Sequence, residues 1–583
     1  MRAGVPRRLL VVGLAVVLTA GLATASSAQR QQHRANNAGH LRSPFASMCA
    51  PGMSAYLNLC RDLPTPASPP VTPPVTPPGP MGQTLPCATA PGINDKCETW
   101  GTAYSDSTPF SGTHGDAPVG LVTNSAGTRV FMAETAIVDG SPRMALAAFD
   151  AGNGKELWVA HVKPNPPSIA YGTAISPNGA IVFITGYEIV SLSINQNPYD
   201  LFLTNAYSAA SGKLLWSKTY IGQGGQANAA TRVVVSPDSK TAYVTGLITI
   251  PGPFQRPPAN ITTIAYNTAN GKVRWAARFN GQSGANVPTA MTLNARGDTV
   301  FITGQSQYFD PSPVPVFRMV TLAYSTRNGK ERWERYYNGY QDGTNTPLGI
   351  AVDRRGSRVF VTGAAQYAGS VSAPIYRYQT LAYDARTGRP LWSQAFAGTS
   401  GKTDIAQAVG VSPDGTRVYV TGVSTQPQRV QGQALPVDGV ATTIAYDSKS
   451  GKKRWLVNAS PNGLGAGGFA LAVSKSDVVY AGLEIGAGGP LVGAPGLVAY
   501  KGSSGSQQWI ATYDVRDPTV NGIPSAPIAL SINPRRGTVY QLDQITTPLG
   551  LGESLACPTA NNANSAVHCT AEAPYPLILA YAP

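Results

Sequence analysis

The chain has 583 residues, 13% of them charged, with 62 Gly and 49 Pro. Helix formers are not prominent, and low charge with many turn formers suits short strands joined by turns. The formal net charge is +14, or +11 without three arginines in the first eight residues, and is scattered rather than run together. Such a surface suits anionic partners such as wall polymers, acidic glycans or lipid headgroups. The absence of a recognised motif argues against nucleic acid.

The N-terminus reads as a secretion signal. Arg2, Arg7 and Arg8 are followed by an apolar run from Leu9 to Thr24 and a small-residue exit at Ser26-Ser27-Ala28. That order predicts residues 1–28 as a signal peptide cleaved near Ala28, in a secreted or envelope-associated protein. No other segment is long and apolar enough to span a bilayer, so no transmembrane anchor is expected after cleavage.

Residues 29–97 read as an irregular leader containing cysteines, with a polyproline-like spacer from Pro64 to Pro80. Six cysteines in an exported chain favour disulfides. They fall in close pairs, Cys49 with Cys60, Cys87 with Cys97 and Cys557 with Cys569, although six thiols allow about 15 connectivities. No zinc-ligand spacing occurs, and His568 beside Cys569 reads as loop. No metal site is expected.

From residue 98 to 583 the chain is a repeat array. A phrase of the form apolar-Ala-aromatic, a turn, Gly-Lys and Trp recurs seven times, ending at Trp158, Trp216, Trp275, Trp333, Trp392, Trp455 and Trp509. Before it lies a second phrase, as in Ser236-Pro-Asp-Ser to Gly246, which places a turn between two apolar runs and signals a hairpin. Each unit therefore holds four strands, A to D: A before the Ser-Pro-Asp turn, B after it, C at Thr-Ile-Ala-Tyr, and D carrying the Trp. The second phrase occurs eight times. The eighth unit stops at Leu579-Ala580-Tyr581, one strand short, while an orphan Trp100-Gly-Thr-Ala-Tyr104 precedes the first. The prediction is an all-β, eight-bladed propeller of four-stranded antiparallel blades, closed by an N-terminal strand that completes the last blade.

The phrase from Ala382-Tyr-Asp384 to Trp392 resembles the repeat of PQQ-type quinoprotein propellers. The fuller unit, Trp275-Ala-Ala-Arg-Phe-Asn-Gly281 through Phe301-Ile-Thr-Gly304, resembles the bacterial SBBP-type propeller repeat. The quinoprotein resemblance implies a quinone held between a Trp and a disulfide of adjacent cysteines, with carboxylates binding calcium and serving as base. This chain has no adjacent cysteines and no Asp-rich calcium loop, and its eight Trp belong to the repeat. No cofactor is expected, and fold alone does not establish activity.

Catalytic chemistry is equally sparse. No Gly-x-Ser-x-Gly occurs. His114-x-Asp116 is the nearest acid–base pair, but Asp404, Asn228 and Asn286 recur at the place of Asp116, which favours short polar side chains capping the start of strand A. No catalytic residue is assigned, and the enzyme reading (a quinoprotein-like oxidoreductase or polysaccharide-active protein) stands as the alternative. The B–C connections, Gly246–Thr262, Gly304–Val320, Gly363–Thr380 and Gly422–Thr443, read as long loops that differ between blades, whereas the A–B and C–D turns repeat. Function concentrates in such loops. They carry Phe254, Arg256, Tyr308, Phe309, Arg318, Tyr376, Arg377 and Tyr378 as candidate binding residues. Aromatic and Arg side chains together suit a protein partner or an anionic or glycan polymer.

Overall fold

The computed structural model describes residues 98–103, 117–512, 527–548 and 572–583, apart from 139–140, 163–165, 191–198, 223–226, 251–257, 282–283, 309–315, 340–342, 371–372, 399–402, 426–427, 431–432, 436–438, 462–464 and 486–493. The signal peptide and the Pro-rich stretch lie outside the described residues, as do His114 and Asp116. The six cysteines expected to pair as disulfides, Cys49, Cys60, Cys87, Cys97, Cys557 and Cys569, also lie outside them. The described residues form eight four-stranded antiparallel sheets arranged as the blades of a propeller, with no helix among them longer than a single turn.

Each unit folds on its own period. In blade three, strand A is Asn228–Val235, B is Thr241–Thr249, C is Ala259–Asn267 and D is Val273–Phe279, hydrogen-bonded in that order. The Ser-Pro-Asp turn joins A to B because its polar side chains satisfy turn backbone: Thr241 N–H donates to Ser236 Oγ at 2.9 Å and Lys240 N–H to Asp238 Oδ1 at 3.0 Å. The A strands form the inner wall, each packing on the next blade's A strand, with Ala117–Thr123 of blade one against Pro527–Ile532 of blade eight. In blade eight the sheet runs Pro527–Ile532, Val539–Pro548, Glu572–Tyr581 and then Glu98–Ala103, whose Trp100 opposes Ala580.

All eight A–B pairings slip at the same level, a β-bulge that leaves one unpaired residue on strand A. The slip lies between Pro118 and Gly120, Ala170 and Gly172, Ala230 and Arg232, Pro288 and Ala290, Pro347 and Gly349, Ala406 and Ala408, Gly468 and Ala470, and Pro527 and Ala529. In blades two to six, buried threonines on strands B and C meet beside it, as Thr185 with Thr204 at 2.9 Å and Thr421 with Thr443 at 3.0 Å.

The Trp of each repeat joins blades. Trp275 on strand D stacks near Tyr243 of its own strand B, ring centroids 5.7 Å apart, and its Nε1 donates to the Thr326 carbonyl in the next blade's C–D turn at 2.8 Å. Trp216, Trp333, Trp392 and Trp455 make the same donation to Thr268, Ala385, Ser448 and Gly502. The Gly of the Gly-Lys phrase serves the preceding blade: Gly329 has φ of 70° and lies against Trp275, where a Cβ would come within 2.5 Å of the indole.

The B–C connections differ from expectation. Much of each predicted long loop is strand: blade four pairs Thr299–Tyr308 with Val316–Ser325, and blade five pairs Arg358–Ser370 with Ala373–Asp384. The ladder continues past the Gly that had marked its expected end, Gln305 to Tyr308 pairing with Met319 to Val316 and Ala364 to Ser370 with Tyr378 to Ala373. Blade six adds a small hairpin, Gln428–Val430 with Gln433–Leu435.

Gly329→Ala and Gly415→Ala separate conformational cost from indole contact, since Gly415 shares the left-handed backbone (φ 72°) but a Cβ there meets only Asp353 Cβ, at 3.8 Å. Gly415→Ala is expected to cost about 1–2 kcal/mol, and Gly329→Ala roughly 1–3 kcal/mol more from the clash. Urea midpoints check this, and equal losses would remove the indole from the account.

Candidate functional site

The B–C ends of the blades and the D–A connections share one face of the ring. On it, blades four and five carry the same construction. Arg318 opposes Ser306 across the B–C ladder and Arg377 opposes Ala365, the same register position in the two units. The Arg318 guanidinium lies 3.4 Å from the ring centre of Tyr308 and 5.8 Å from that of Tyr336; the Arg377 guanidinium lies 2.9 Å from that of Tyr367. A cation over an aromatic face is held by the ring quadrupole, which fixes its direction without neutralising it. Tyr367 is 40% exposed, and Tyr308, Arg318, Tyr336 and Arg377 are each half-buried.

The predicted residues divide accordingly. Tyr308, Arg318 and Arg377 meet in these stacks. Tyr376 and Tyr378 are fully buried instead. They flank Arg377 on an extended strand, where alternate side chains point to opposite faces. Tyr376 packs with Ala364 and Ile405 between blades five and six. Tyr378 sets its ring edge-on to Phe396 at 5.3 Å and donates its hydroxyl to the Thr442 carbonyl at 3.3 Å. Burial pushes both hydroxyls' pKa values well up, so they offer no charge and little surface to a ligand. Phe254, Arg256 and Phe309 lie outside the described residues. Tyr336 and Tyr367 complete the stacks. The sequence signal for Tyr336 was its place on strand D, level with the end of the B–C hairpin.

The residues that start strand A are caps, as their recurrence predicted. Asn286 Nδ2 donates to the Ala259 carbonyl of the preceding blade at 2.9 Å, and Asn228 Nδ2 to the Asp200 carbonyl at 2.7 Å. Asp404 accepts from Gly398 N–H at 2.8 Å and Ser424 Oγ at 2.7 Å. Burial raises its pKa, partly opposed by these hydrogen bonds and by Arg377. All are structural satisfactions of backbone.

Other acids are buried where the repeat calls for something else. Glu134 in blade one and Asp543 in blade eight stand where blades two to six have the Gly facing the bulge. Asp543 accepts from Gln541 Nε2 at 2.9 Å, and its second oxygen has no partner. Burial pushes Asp543 to about 8, Asp200 also to about 8, and Glu484 to about 7. Among the described residues, no three His, Cys, Asp or Glu side chains gather as a metal cluster. The tryptophans described are committed between blades, as with Trp216 between Phe183 and Tyr266. A quinone sandwich needs a free indole and calcium-binding carboxylates, and the described residues do not fit that group.

The fold is that of a PQQ-type β-propeller. The family described as outer membrane protein assembly factor BamB matches residues 143–422 and again 349–544, and the chain belongs to it. Among solved structures, BamB from Moraxella catarrhalis aligns at 14% identity over 81% of this chain and 99% of its own, TM-score 0.39. Quinohemoprotein alcohol dehydrogenase from Comamonas testosteroni aligns at 12% over 84% and 76%, TM-score 0.44. Sqt1 from Chaetomium thermophilum, bound to the N-terminus of the ribosomal protein L10, aligns at 9% over 82% and 100%, TM-score 0.48. No relative was found among curated protein sequences.

Folded Asp543 holds its proton up to about pH 8, whereas an unfolded Asp releases it near its ordinary 3.8. Between those values the folded state binds more protons, so stability falls as pH rises across that window. Asp543→Asn is expected to be the more stable protein at pH 8, with the difference closing toward pH 4. Thermal melts over that range check it; parallel curves would contradict it.

Proposed function

We propose that this chain is an exported, non-enzymatic binding protein of the cell envelope or extracellular space that takes a protein partner on the B–C face. The observation that carries the reading is the paired stack: two arginines at one register position on adjacent blades, each held over a tyrosine. Arg and aromatic side chains are the groups that dominate protein interfaces. Pre-orientation lowers the ordering cost of using them. The family description, an assembly factor for outer membrane proteins, favours a protein partner over a small substrate. Export agrees with the basic, apolar, small-residue N-terminus and with six cysteines in close pairs.

Pull-down from the envelope fraction of the native culture, with bound proteins quantified, tests the face. Arg318→Ala with Arg377→Ala is expected to weaken capture roughly tenfold or more, while Arg386→Ala on the opposite face leaves it unchanged. Equal capture by all three proteins would show that the face is wrongly assigned, and retention of glycan instead of protein would replace the partner class.

We also infer that strand Glu98–Ala103 latches the ring by supplying the outer strand of blade eight. Deleting residues 1–103 is then expected to lower the melting temperature and speed amide exchange in Glu572–Tyr581. An unchanged melting temperature would refute the latch.

A further inference from the structure

The two faces of the ring treat their arginines differently. The ion pairs that join described residues, Arg296 with Asp298, Arg358 with Asp353, Arg417 with Asp414 and Asp477, and Arg454 with Asp447, all lie in or beside A–B and C–D turns. On the B–C face, aromatic groups take the place of acids. Besides the two stacks, Arg278 is exposed near the end of the outer strand of blade three and donates from Nη2 to the Tyr220 hydroxyl of blade two at 3.2 Å. A tyrosine orients a guanidinium and leaves its charge whole. Neither Arg278 nor Arg377 forms an ion pair with a described residue. Of the acids nearby, Asp404 is buried, its oxygens committed to Gly398, Ser424 and Thr425. Asp200 is buried and keeps its proton up to about pH 8. Glu334 lies lower on the outer strand of blade four, opposite Leu322.

These groups occupy successive seams between blades two and five, and contacts run from one seam to the next. Phe279, which follows Arg278, lies 6.3 Å from Tyr336, ring centre to ring centre, and Tyr336 faces Arg318. The next residue, Tyr337, donates its hydroxyl to Gln379 Oε1 at 2.7 Å. Gln379 is two residues from Arg377 on an extended strand and so shares its face. Apolar surface accompanies the charge. Ile250, Tyr308 and Tyr367 each stand four residues beyond the strand B Gly that faces the bulge, at Gly246, Gly304 and Gly363. Ile250 is exposed, as Tyr367 is. Exposed Ile221 belongs to the same seam as Ile250, because Gly222 packs against Ile248 with no room for a Cβ.

We propose that the seams from blade two to blade five bind an extended acidic segment of the protein partner, its carboxylates running from Arg278 across the Arg318 stack to Arg377 and its apolar side chains resting on Ile221, Ile250 and Tyr367. The proposal rests on the B–C face being the partner surface and adds what that surface recognises. Charge complementarity carries it. Oriented cations without rim acids repel a basic segment and give a neutral one nothing to pair with. The planar guanidinium matches a carboxylate with two parallel hydrogen bonds. Exposed isoleucines favour a peptide over an acidic glycan, which brings carboxylates without aliphatic side chains.

The test is fluorescence anisotropy of the full chain with a labelled peptide of three Glu-Leu-Glu-Ser repeats at fixed ionic strength. The comparison probes carry Gln for Glu, or Ser for Leu, and hexagalacturonate supplies the same number of carboxylates on a glycan. The first peptide is expected to bind tightest of the four. Arg377→Gln is expected to weaken it roughly tenfold, Arg278→Gln, at the exposed rim, about two- to fivefold, and Ile250→Ser about threefold. Arg386→Gln removes the same charge from the opposite face and is expected to leave binding unchanged. If Arg377→Gln does not fold, the two exposed variants still read the site. The proposal is overturned if the peptide does not bind, if the Gln peptide or the glycan binds as tightly, or if Arg386→Gln costs as much as the seam variants. Should pull-down capture fall with Arg318→Ala and Arg377→Ala while the acidic peptide fails to bind, the partner face stands and the acidic segment is refuted.

Discussion

The structure depends on an indole set between two blades. Each blade is only a twisted four-stranded sheet, and neither of its faces is buried until neighbours cover it. The Trp on the outer strand does this in three ways together. It stacks on an aromatic of its own strand B, it touches a Tyr of the next blade, and it gives its only N–H to the next blade's turn, as Trp333 does with Phe301, Tyr383 and Ala385. Because the receiving turn must bring its backbone against a flat ring, its left-handed residue is Gly. The Gly and the Trp of one phrase therefore serve opposite interfaces. That arrangement explains why they stay in fixed spacing across repeats whose B–C ends vary freely. Trp158 shows the tolerance of the device: its Nε1 has no partner, and Arg129 Nη1 takes the Ala209 carbonyl instead, at 2.6 Å.

The same regularity made the fold legible from sequence and the site only partly so. Trp spacing, the Ser-Pro-Asp turns and the missing eighth outer strand were enough to count blades and assign strands, because each is a local signal repeated many times. The start-of-strand caps at Asn228, Asn286 and Asp404 were legible for that reason too. The binding face was read from composition, which cannot tell a loop from a strand that continues. Once Ala373–Asp384 is a strand, Arg377 and its neighbours Tyr376 and Tyr378 must point opposite ways. Two tyrosines that read as surface became packing between blades five and six. Tyr336 was missed because it sits on the strand named for its Trp, and it reaches Arg318 only through the fold.

Departures from the repeat carried more information than the loops did. Arg232 is visible in the sequence once eight inner strands are aligned on their bulges, as are Glu134 and Asp543 in place of Gly. Each departure breaks a local rule at a buried or half-buried position, where a charge is destabilising on its own. A ring can hold several such sites because its stability is spread over near-identical interfaces, and one costly position loads only its own blade and the next. The acids at Asp200, Glu484 and Asp543 reduce their cost by staying protonated, which burial alone achieves. An arginine has no such escape near neutral pH, since its ordinary pKa is too high for burial to neutralise it. Arg232 therefore keeps its charge, with one donor on the Thr231 carbonyl and part of its surface open.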